Sequence, residues 1–270
     1  ATSPIVFTSE RAVGEREAGD WGGVVLCGKG VNNLPDVLAS RELEGGYGGF
    51  HGGTDAADNS GSLKYVRIEY AGVPINPNQE VNSLTMGSVG NGTTIDYVQA
   101  SFGLDDSFEW FGGTVNCKYL IAYKTQDDDF DTDFGYAGNV QFGIVLRDSA
   151  IADISTSEAF ESDNDGKGSN LSPKTSAVFS NITAIGPRID PISGKGNSLY
   201  RAGAHIRRNT GISIMNSIIA GWPIGLNFDV ALGNVDKNIN DSSIRIKNTT
   251  LAGNTSNITL SGTSTVGTTA

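Results

Sequence analysis

Short runs of alternating apolar and polar residues recur along the chain, each bounded by Gly, Asn, Asp or Ser. Alternation of this kind is typical of strands with one buried face. The runs lie at residues 5–7, 22–26, 63–68, 94–98, 115–121, 140–146, 178–185, 212–219 and 244–251. Only the window 33–43 has a helical pattern, and because it is short and contains Pro35 we expect at most one loop helix there. The pattern therefore predicts an all-β protein.

Several of these runs are versions of one unit, apolar–x–apolar–x–Asn/Tyr–x–x–apolar, followed by a small residue and then Gly. Aligned on the central Asn or Tyr, the copies fall at positions 65, 97, 119, 181, 216 and 248. The gaps between neighbouring copies are 32, 22, 62, 35 and 32 residues, and the gap of 62, between positions 119 and 181, has room for two coils. A period of 22 to 35 residues without intervening helices indicates a solenoid.

We therefore predict one continuous parallel β-helix over residues 1–270, with roughly eight to ten coils. Residues 254–270 are polar and low in complexity, and we expect them to form a weak last coil or a linker. The alternative is a large β-sandwich, whose strands also recur at short intervals. Gly-bounded repeats with variable insertions favour the β-helix.

Five segments resemble a group of secreted or cell-surface Bacteroidetes proteins of the right-handed parallel β-helix type. They are GDWGGVVLCGK at 19–29, EGGYGG at 44–49, LKYVRIE at 63–69, DDSFEWFGG at 105–113 and DDDFDTD at 127–133. The resemblance covers about residues 4–187, and it implies the fold and an extracellular location without assigning an activity. Such proteins usually carry a further β-helical portion and a sorting domain, so we expect a fragment or mature core of a longer precursor.

The charge is concentrated in one part of the chain. The protein has 30 acidic and 19 basic residues, a net charge of −11. Between Asp105 and Asp165 there are fourteen acidic residues and three basic ones, so this window carries the whole net charge. Such self-repulsion needs solvent, cations or a charged partner to offset it. An acidic chain is a poor partner for nucleic acid, and no apolar stretch is long enough for a membrane span.

The densest acidic run, 127–133, suggests a cation site. In an extended strand Asp129, Asp131 and Asp133 share one side, and carboxylates spaced in this way suit a hard cation. The run does not fit the EF-hand pattern, and neither does the second cluster, Asp163 and Asp165. We expect Ca²⁺ as a cofactor, with candidate ligands Asp127, Asp128, Asp129, Asp131, Asp133, Asp163 and Asp165. The alternative is that these acids only form a solvated outer face.

A second constellation combines carboxylates with aromatic rings. Asp105, Asp106 and Glu109 could act as acid and base on a sugar, with Trp110 and Phe111 as a ligand-binding stacking platform. The alternative is that Phe108 and Trp110 point inward and the acids cap a turn.

Known β-helical enzymes provide a further comparison for this constellation. Galacturonan-cleaving enzymes add a His-Gly pair and a basic tripeptide; residues 245–247 fit the tripeptide, but His205 is followed by Ile206. A lyase of the same fold needs an Arg or Lys base. Candidate bases exist at Arg201, Arg207 and Arg208, but the sequence does not place them beside the acids.

The remaining reactive side chains are few. We expect Cys27 and Cys117 to be buried small hydrophobes. Two histidines, His51 and His205, leave little material for a His-based metal site.

These observations predict an extracellular or cell-surface binding or structural module, adhesin-like or part of an assembly, stabilised by divalent cations. Its expected partner is an extracellular glycan or a surface protein. The alternative is a polysaccharide lyase or glycoside hydrolase that uses Asp105, Asp106 and Glu109. We favour binding over catalysis because a region with three cations against fourteen acids repels an anionic polysaccharide.

Overall fold

The computed structural model describes residues 3–34, 41–43, 46, 48–76, 79–188, 194 and 196–263. Most of the helix expected at 33–43 lies outside these residues. In chain order, the strands are β1 (Ile5–Phe7), β2 (Val24–Cys27), β3 (Arg41–Glu42), β4 (Phe50–His51), β5 (Ser62–Glu69), β6 (Pro74–Asn76), β7 (Gln79–Glu80), β8 (Leu84–Gly87), β9 (Thr94–Ser101), β10 (Phe108–Phe111), β11 (Asn116–Tyr123), β12 (Phe130–Asp133), β13 (Asn139–Leu146), β14 (Ser157–Ser162), β15 (Val178–Ile185), β16 (Tyr200–Ile206), β17 (Ser213–Met215), β18 (Ile218–Ala220), β19 (Ile224–Asp229), β20 (Arg245–Lys247), β21 (Thr250–Ala252) and β22 (Ser256–Ser261).

Two parallel sheets share nearly all of these strands, and the chain alternates between them. Sheet A has the order β1-β5-β9-β11-β13-β15-β17-β20, with β18 and β21 continuing its last two rungs. Sheet B has the order β2-β8-β10-β12-β14-β16-β19-β22. Each sheet thus has eight rungs in the described residues, and the parallel β-helix is confirmed; the sandwich alternative is wrong because its sheets would be antiparallel.

The interior is filled by ladders of side chains from equivalent positions on successive rungs. In sheet A one ladder consists of Leu63, Ile95, Cys117, Val140, Phe179, Ile214 and Ile246. In sheet B, Phe108, Phe130 and Phe160 stack with centroids 5.8 and 5.4 Å apart. Ring stacking and burial of apolar area hold successive coils together.

The sequence repeat marks a backbone feature of sheet A. Its central residues all adopt a left-handed conformation, with φ between 51° and 64°: Tyr65, Tyr97, Tyr119, Phe142, Asn181, Asn216 and Asn248. Phe142 is the copy that the longest gap concealed. For residues other than Gly and Asn, the left-handed backbone conformation costs free energy. Stacking offsets it here, because the four aromatic rings lie 4.4 to 5.0 Å apart.

Few elements lie outside the two sheets. The pairs β3–β4 and β6–β7 are short and antiparallel. Among the described residues the only helix is α1 (Val235–Asn240), which is far too short to cross a bilayer. Both cysteines are free; Cys117 is buried as expected, but Cys27 is exposed, so the expectation for Cys27 is wrong.

Candidate functional site

The outer face of sheet B carries a column of ionisable side chains. Glu109, Asp131, Glu161 and His205 occupy equivalent positions on β10, β12, β14 and β16. Successive rungs of a parallel sheet are about 4.8 Å apart, so the backbone hydrogen bonds hold three carboxylates in a row at that spacing. We refer to Glu109, Asp131, Glu161 and His205 as the central column.

A second column runs beside the first, at the start of the same rungs. The backbone N–H of Asp128 donates to Asp106 Oδ1 over 2.7 Å, and the N–H of Glu158 donates to Asp128 Oδ1 over 2.6 Å. Each carboxylate thus caps the next rung, as the turn-capping alternative anticipated. These bonds fix the carboxylates along the helix axis, against the central column.

At the other end of the rungs the acids meet arginines. Asp133 accepts a hydrogen bond from the backbone N–H of Phe134. Asp163 lies 3.0 Å from Arg207 Nε and 2.7 Å from Arg208 Nη1, in ion pairs. The acidic window therefore folds into three short columns side by side, with positive charge at one edge.

Several of these acids are removed from solvent, although Asp127, Asp131 and Asp133 are only half-buried. Asp106, Asp128, Glu109 and Glu158 are all buried, and Glu158 is completely so. Burial, and then the neighbouring carboxylates, raise the pKa of Asp106, Asp128 and Asp131 well above the ordinary value of 3.8. Full ionisation of this face is therefore unfavourable unless a cation offsets it.

Asp106 of the second column and Glu109, Asp131 and Glu161 of the central column lie on the floor of a cleft of about 450 Å³. The described residues that line it include eight acidic side chains and no Lys, Arg or His. In this cleft Asp106, Glu109 and Asp131 bring one oxygen each within 4.8 Å of one another, and so do Asp105, Asp106 and Asp127. Two oxygens bound to one Ca²⁺ at 2.3–2.6 Å lie at most about 5 Å apart, so either group fits such an ion.

A third group, Asp127, Asp128 and Glu158, meets the same distance limit. The structure thus brings Asp127, Asp128 and Asp131 into groups that could hold a cation. Glu158 and Glu161 also belong to such groups, although nothing in the sequence singles them out.

Two of the expected cation ligands are used otherwise. Asp129 is fully buried and paired with Arg147, whose Nη1 lies 3.0 Å from Asp129 Oδ1. Asp165 accepts hydrogen bonds from the backbone N–H groups of Lys167 and Ser169, so it caps a loop. The strand alternation placed Asp129 with Asp131, but Asp129 precedes β12 and its side chain turns inward.

The aromatic platform is also corrected. Trp110 is 0% exposed and stacks on Tyr136 inside the helix, with centroids 5.2 Å apart. Phe111 is 6% exposed and stacks on Phe134. Neither ring presents a face to solvent, so neither is placed to stack on a sugar. Trp110 lies on the inner face of β10, as the inward alternative expected.

The sequence named Arg201, Arg207 and Arg208 as candidate bases, but it could not show that they form a basic edge of the site. Arg201, His205 and Arg207 come from β16 and the residue after it, and with Arg208 and Asp229 they line a small pocket of about 120 Å³. Arg201 Nε lies 3.4 Å from Glu158 Oε1, and Arg207 is paired with Glu161. Although burial alone would lower it, the Glu161 and Asp163 carboxylates raise the pKa of Arg207. A repeat pattern for sheet B would have placed these residues beside the acids.

The sequence matches the model of the pectate-lyase-like β-helix domain family over residues 1–269, so the chain belongs to this family. Such domains fit extracellular binding or polysaccharide-acting roles. No curated protein and no solved structure matches the chain.

Proposed function

We propose that the chain is an extracellular β-helical binding module that holds Ca²⁺ in the cleft of sheet B and binds a glycan there. One observation carries the proposal: Asp106, Glu109 and Asp131 converge to within 4.8 Å on the floor of a cleft whose described lining has no basic side chain. A cation is the simplest way to compensate that charge.

The donor set selects the ion. Every group of three on the cleft floor supplies oxygen ligands only, which favours Ca²⁺ or Mg²⁺ over softer metals. Ca²⁺ takes six to eight oxygens in flexible geometry, and so it tolerates carboxylates placed by a rigid backbone ladder. Mg²⁺ demands a near-ideal octahedron, for which the ladder makes no provision.

The bound Ca²⁺ allows the cleft to bind a glycan. Without it, the carboxylates repel an acidic polysaccharide, and this repulsion was the sequence-based argument against catalysis. With it, ligand oxygens complete the coordination shell, and the basic edge formed by Arg201, Arg207 and Arg208 lies on the same sheet. An extracellular glycan that carries carboxylates or vicinal hydroxyls fits this combination.

The test combines stability and binding. Ca²⁺ that binds only the native state raises the melting temperature by mass action, so we expect a rise in millimolar Ca²⁺ and a fall in chelator at fixed ionic strength. Asp131→Asn removes the rise. Asp96→Asn, which changes an acid of sheet A paired with Lys64, retains it. Equal melting temperatures for the wild-type protein in Ca²⁺ and in chelator contradict the proposal.

The glycan is tested separately by gel retardation on acidic and neutral polysaccharides. We expect retention on an acidic polysaccharide in Ca²⁺, its loss in chelator, and its loss in Asp131→Asn. Retention that ignores both chelator and the variant argues for a different binding surface.

Polysaccharide cleavage is the second candidate, and the basic edge of the site favours it. Arg201 and Arg207 lie beside Glu158 and Glu161, so basic side chains of the kind a lyase base needs are found on the same sheet as the candidate acids. The raised pKa of Asp106 also suits a proton donor. Turnover of a polysaccharide that falls at least about a hundredfold in Asp105→Asn, Asp106→Asn or Glu109→Gln supports cleavage; binding without turnover supports the module.

A further inference from the structure

His205 lies among carboxylates at the lower end of the central column. Its ring is 1% exposed. Nδ1 lies 3.5 Å from Glu161 Oε2 and 3.7 Å from Glu158 Oε1, while Nε2 lies 3.5 Å from Asp229 Oδ2. Glu158, Glu161 and His205 form one of the groups whose three ligand atoms are within 4.8 Å of one another. This group differs from those of the cleft floor because it contains a nitrogen donor.

The distances match a metal site better than a hydrogen-bonded one. Both carboxylate oxygens are beyond the usual 2.7–3.2 Å of a hydrogen bond to nitrogen. Two ligands of a tetrahedral Zn²⁺, each about 2.1 Å from the ion, lie about 3.4 Å apart. The separations of 3.5 and 3.7 Å around Nδ1 are close to that value.

The contacts of the two His205 ring nitrogens also fit coordination of a metal. A histidine that ligates a metal through one nitrogen usually donates its other N–H to a carboxylate, which fixes the tautomer. Arg201 Nη1, which can only donate, lies 2.7 Å from Nδ1, so Nδ1 carries the free lone pair, and Asp229 Oδ2 is the carboxylate oxygen on the Nε2 side at 3.5 Å. The ring is therefore oriented for coordination through Nδ1.

An independent observation concerns Glu158. Its side chain is fully buried, and its Oε2 atom has no hydrogen-bond partner within the described part of the protein. A buried carboxylate oxygen without a partner costs stability. A cation between Glu158 and His205 removes that cost.

The guanidinium of Arg201 lies where a metal ion bound to His205 and Glu158 would lie. Its Nη1 lies 2.7 Å from His205 Nδ1, and its Nε lies 3.4 Å from Glu158 Oε1. The Arg201 side chain is 32% exposed, so its guanidinium has a route into solvent. A metal ion and the Arg201 guanidinium thus compete for the same donors.

We infer that Glu158, Glu161 and His205 form a Zn²⁺ site, distinct from the Ca²⁺ group of Asp106, Glu109 and Asp131, with Arg201 as a displaceable internal cation. Three protein ligands leave the fourth coordination position open. The adjoining pocket beside Arg207 and Arg208 is where a water or an anionic ligand oxygen reaches that position.

The test is a Zn²⁺ titration of the metal-stripped full chain by isothermal calorimetry, with Co²⁺ as a spectroscopic substitute. We expect one Zn²⁺ per chain that competes with Co²⁺ and gives the absorption of a four-coordinate ion. His205→Gln weakens binding at least about a hundredfold, and Asp229→Asn about 10- to 100-fold. His51→Gln, which changes the other histidine, leaves the affinity unchanged.

Arg201→Met keeps the inference testable even if His205→Gln does not fold. Removal of the competing guanidinium is expected to tighten Zn²⁺ binding about tenfold, a gain that damage to the fold does not produce. Equal Zn²⁺ affinity in the wild type, Arg201→Met and His205→Gln overturns the site, as does the absence of Zn²⁺ binding at micromolar concentrations.

The two proposals fail separately. Asp106→Asn is expected to lose the stabilisation by Ca²⁺ and keep the Zn²⁺ affinity, whereas Asp229→Asn does the reverse. Loss of both responses in either variant contradicts the separation of the two sites.

Discussion

Arg147 and Asp129 form an ion pair in which neither side chain reaches solvent, with Nη1 3.0 Å from Oδ1. Arg147 also donates to the carbonyl oxygen of Gln126 and to the Tyr200 hydroxyl. Asp129 lies at the end of the turn between β11 and β12, one residue before Phe130 of the inner ladder, and Arg147 directly follows β13. The pair therefore holds the Asp129 carboxylate in the interior of the β-helix, away from the cleft.

Breaking this pair is expected to be costly. Asp129→Ala leaves the Arg147 charge buried without its partner, so we expect unfolding free energy to fall by about 3–5 kcal/mol. Denaturant unfolding measures the change. Lys124 and Asp148 provide the control, because their pair is partly exposed and its loss is expected to cost about 1 kcal/mol or less. Similar losses for the two pairs contradict the structural role of Arg147 and Asp129.

The left-handed column of sheet A makes a different prediction. Tyr97→Val places a β-branched residue at φ 57° and removes two ring stacks, so we expect a loss of about 2–4 kcal/mol. Tyr97→Asn is expected to cost less, because Asn tolerates this backbone and occupies the same position on later rungs. Tyr97→Phe serves as the control and keeps the stacking. If Val and Asn are equally destabilising, backbone strain is not what selects residues here.

His51 gives the protein a sensitivity to acid. Burial lowers its pKa from 6.5 to about 4, and Nδ1 is 2.8 Å from Ser88 Oγ. Between these two pH values the unfolded state binds more protons than the native state, so stability falls as the pH is lowered. At pH 4 the lowered pKa of His51 has reduced the free energy of unfolding by about 3 kcal/mol relative to neutral pH. Subtracting the profile of His51→Gln from that of the wild type isolates it; parallel profiles from pH 7 to 4 refute it.

The carboxylates of sheet B act in the opposite direction when no metal is bound. Because burial raises the pKa of Asp106 and Asp128, the native state binds more protons than the unfolded state above pH 3.8. In chelator, protonation of these two carboxylates therefore stabilises the native state as the pH is lowered through the raised pKa values, and this stabilisation is lost as the pH rises. The difference between the wild type and Asp128→Asn, followed by melting temperature, reports it. Saturating Ca²⁺ is expected to flatten this difference; an unchanged slope argues against a shared site.

The sequence pattern predicted sheet A far better than sheet B. Eight of the nine alternating runs became strands of sheet A, and only 22–26 falls in sheet B, as β2. The reason is physical: a strand of sheet A alternates buried apolar and exposed residues over eight positions. In β12 and β14 the inner positions include Thr132 and Ser162, which hydrogen-bond to each other, while the outer positions hold acids. Such strands carry little apolar signal.

The site was predictable only in part, for the same reason. The charge window showed that acids from 105 to 165 act together, but it could not give their register. Glu161 and His205 are neighbours across β14 and β16, and only the strand pairing reveals this. The misplaced Asp129 and Trp110 both followed from assigning sides to residues of a strand whose ends were not known.

The cleft has a floor and a rim of different origin. The floor, Glu109 and Asp131, is tied to strand register and changes only if the coil itself changes. Part of the rim comes from Asp153, Ile154 and Ser155, in the loop between β13 and β14. Loops of this kind accept insertions and substitutions at little thermodynamic cost. Evolution can therefore change the ligand specificity of the cleft through its loops, while the coils that carry the charged floor keep their sequence.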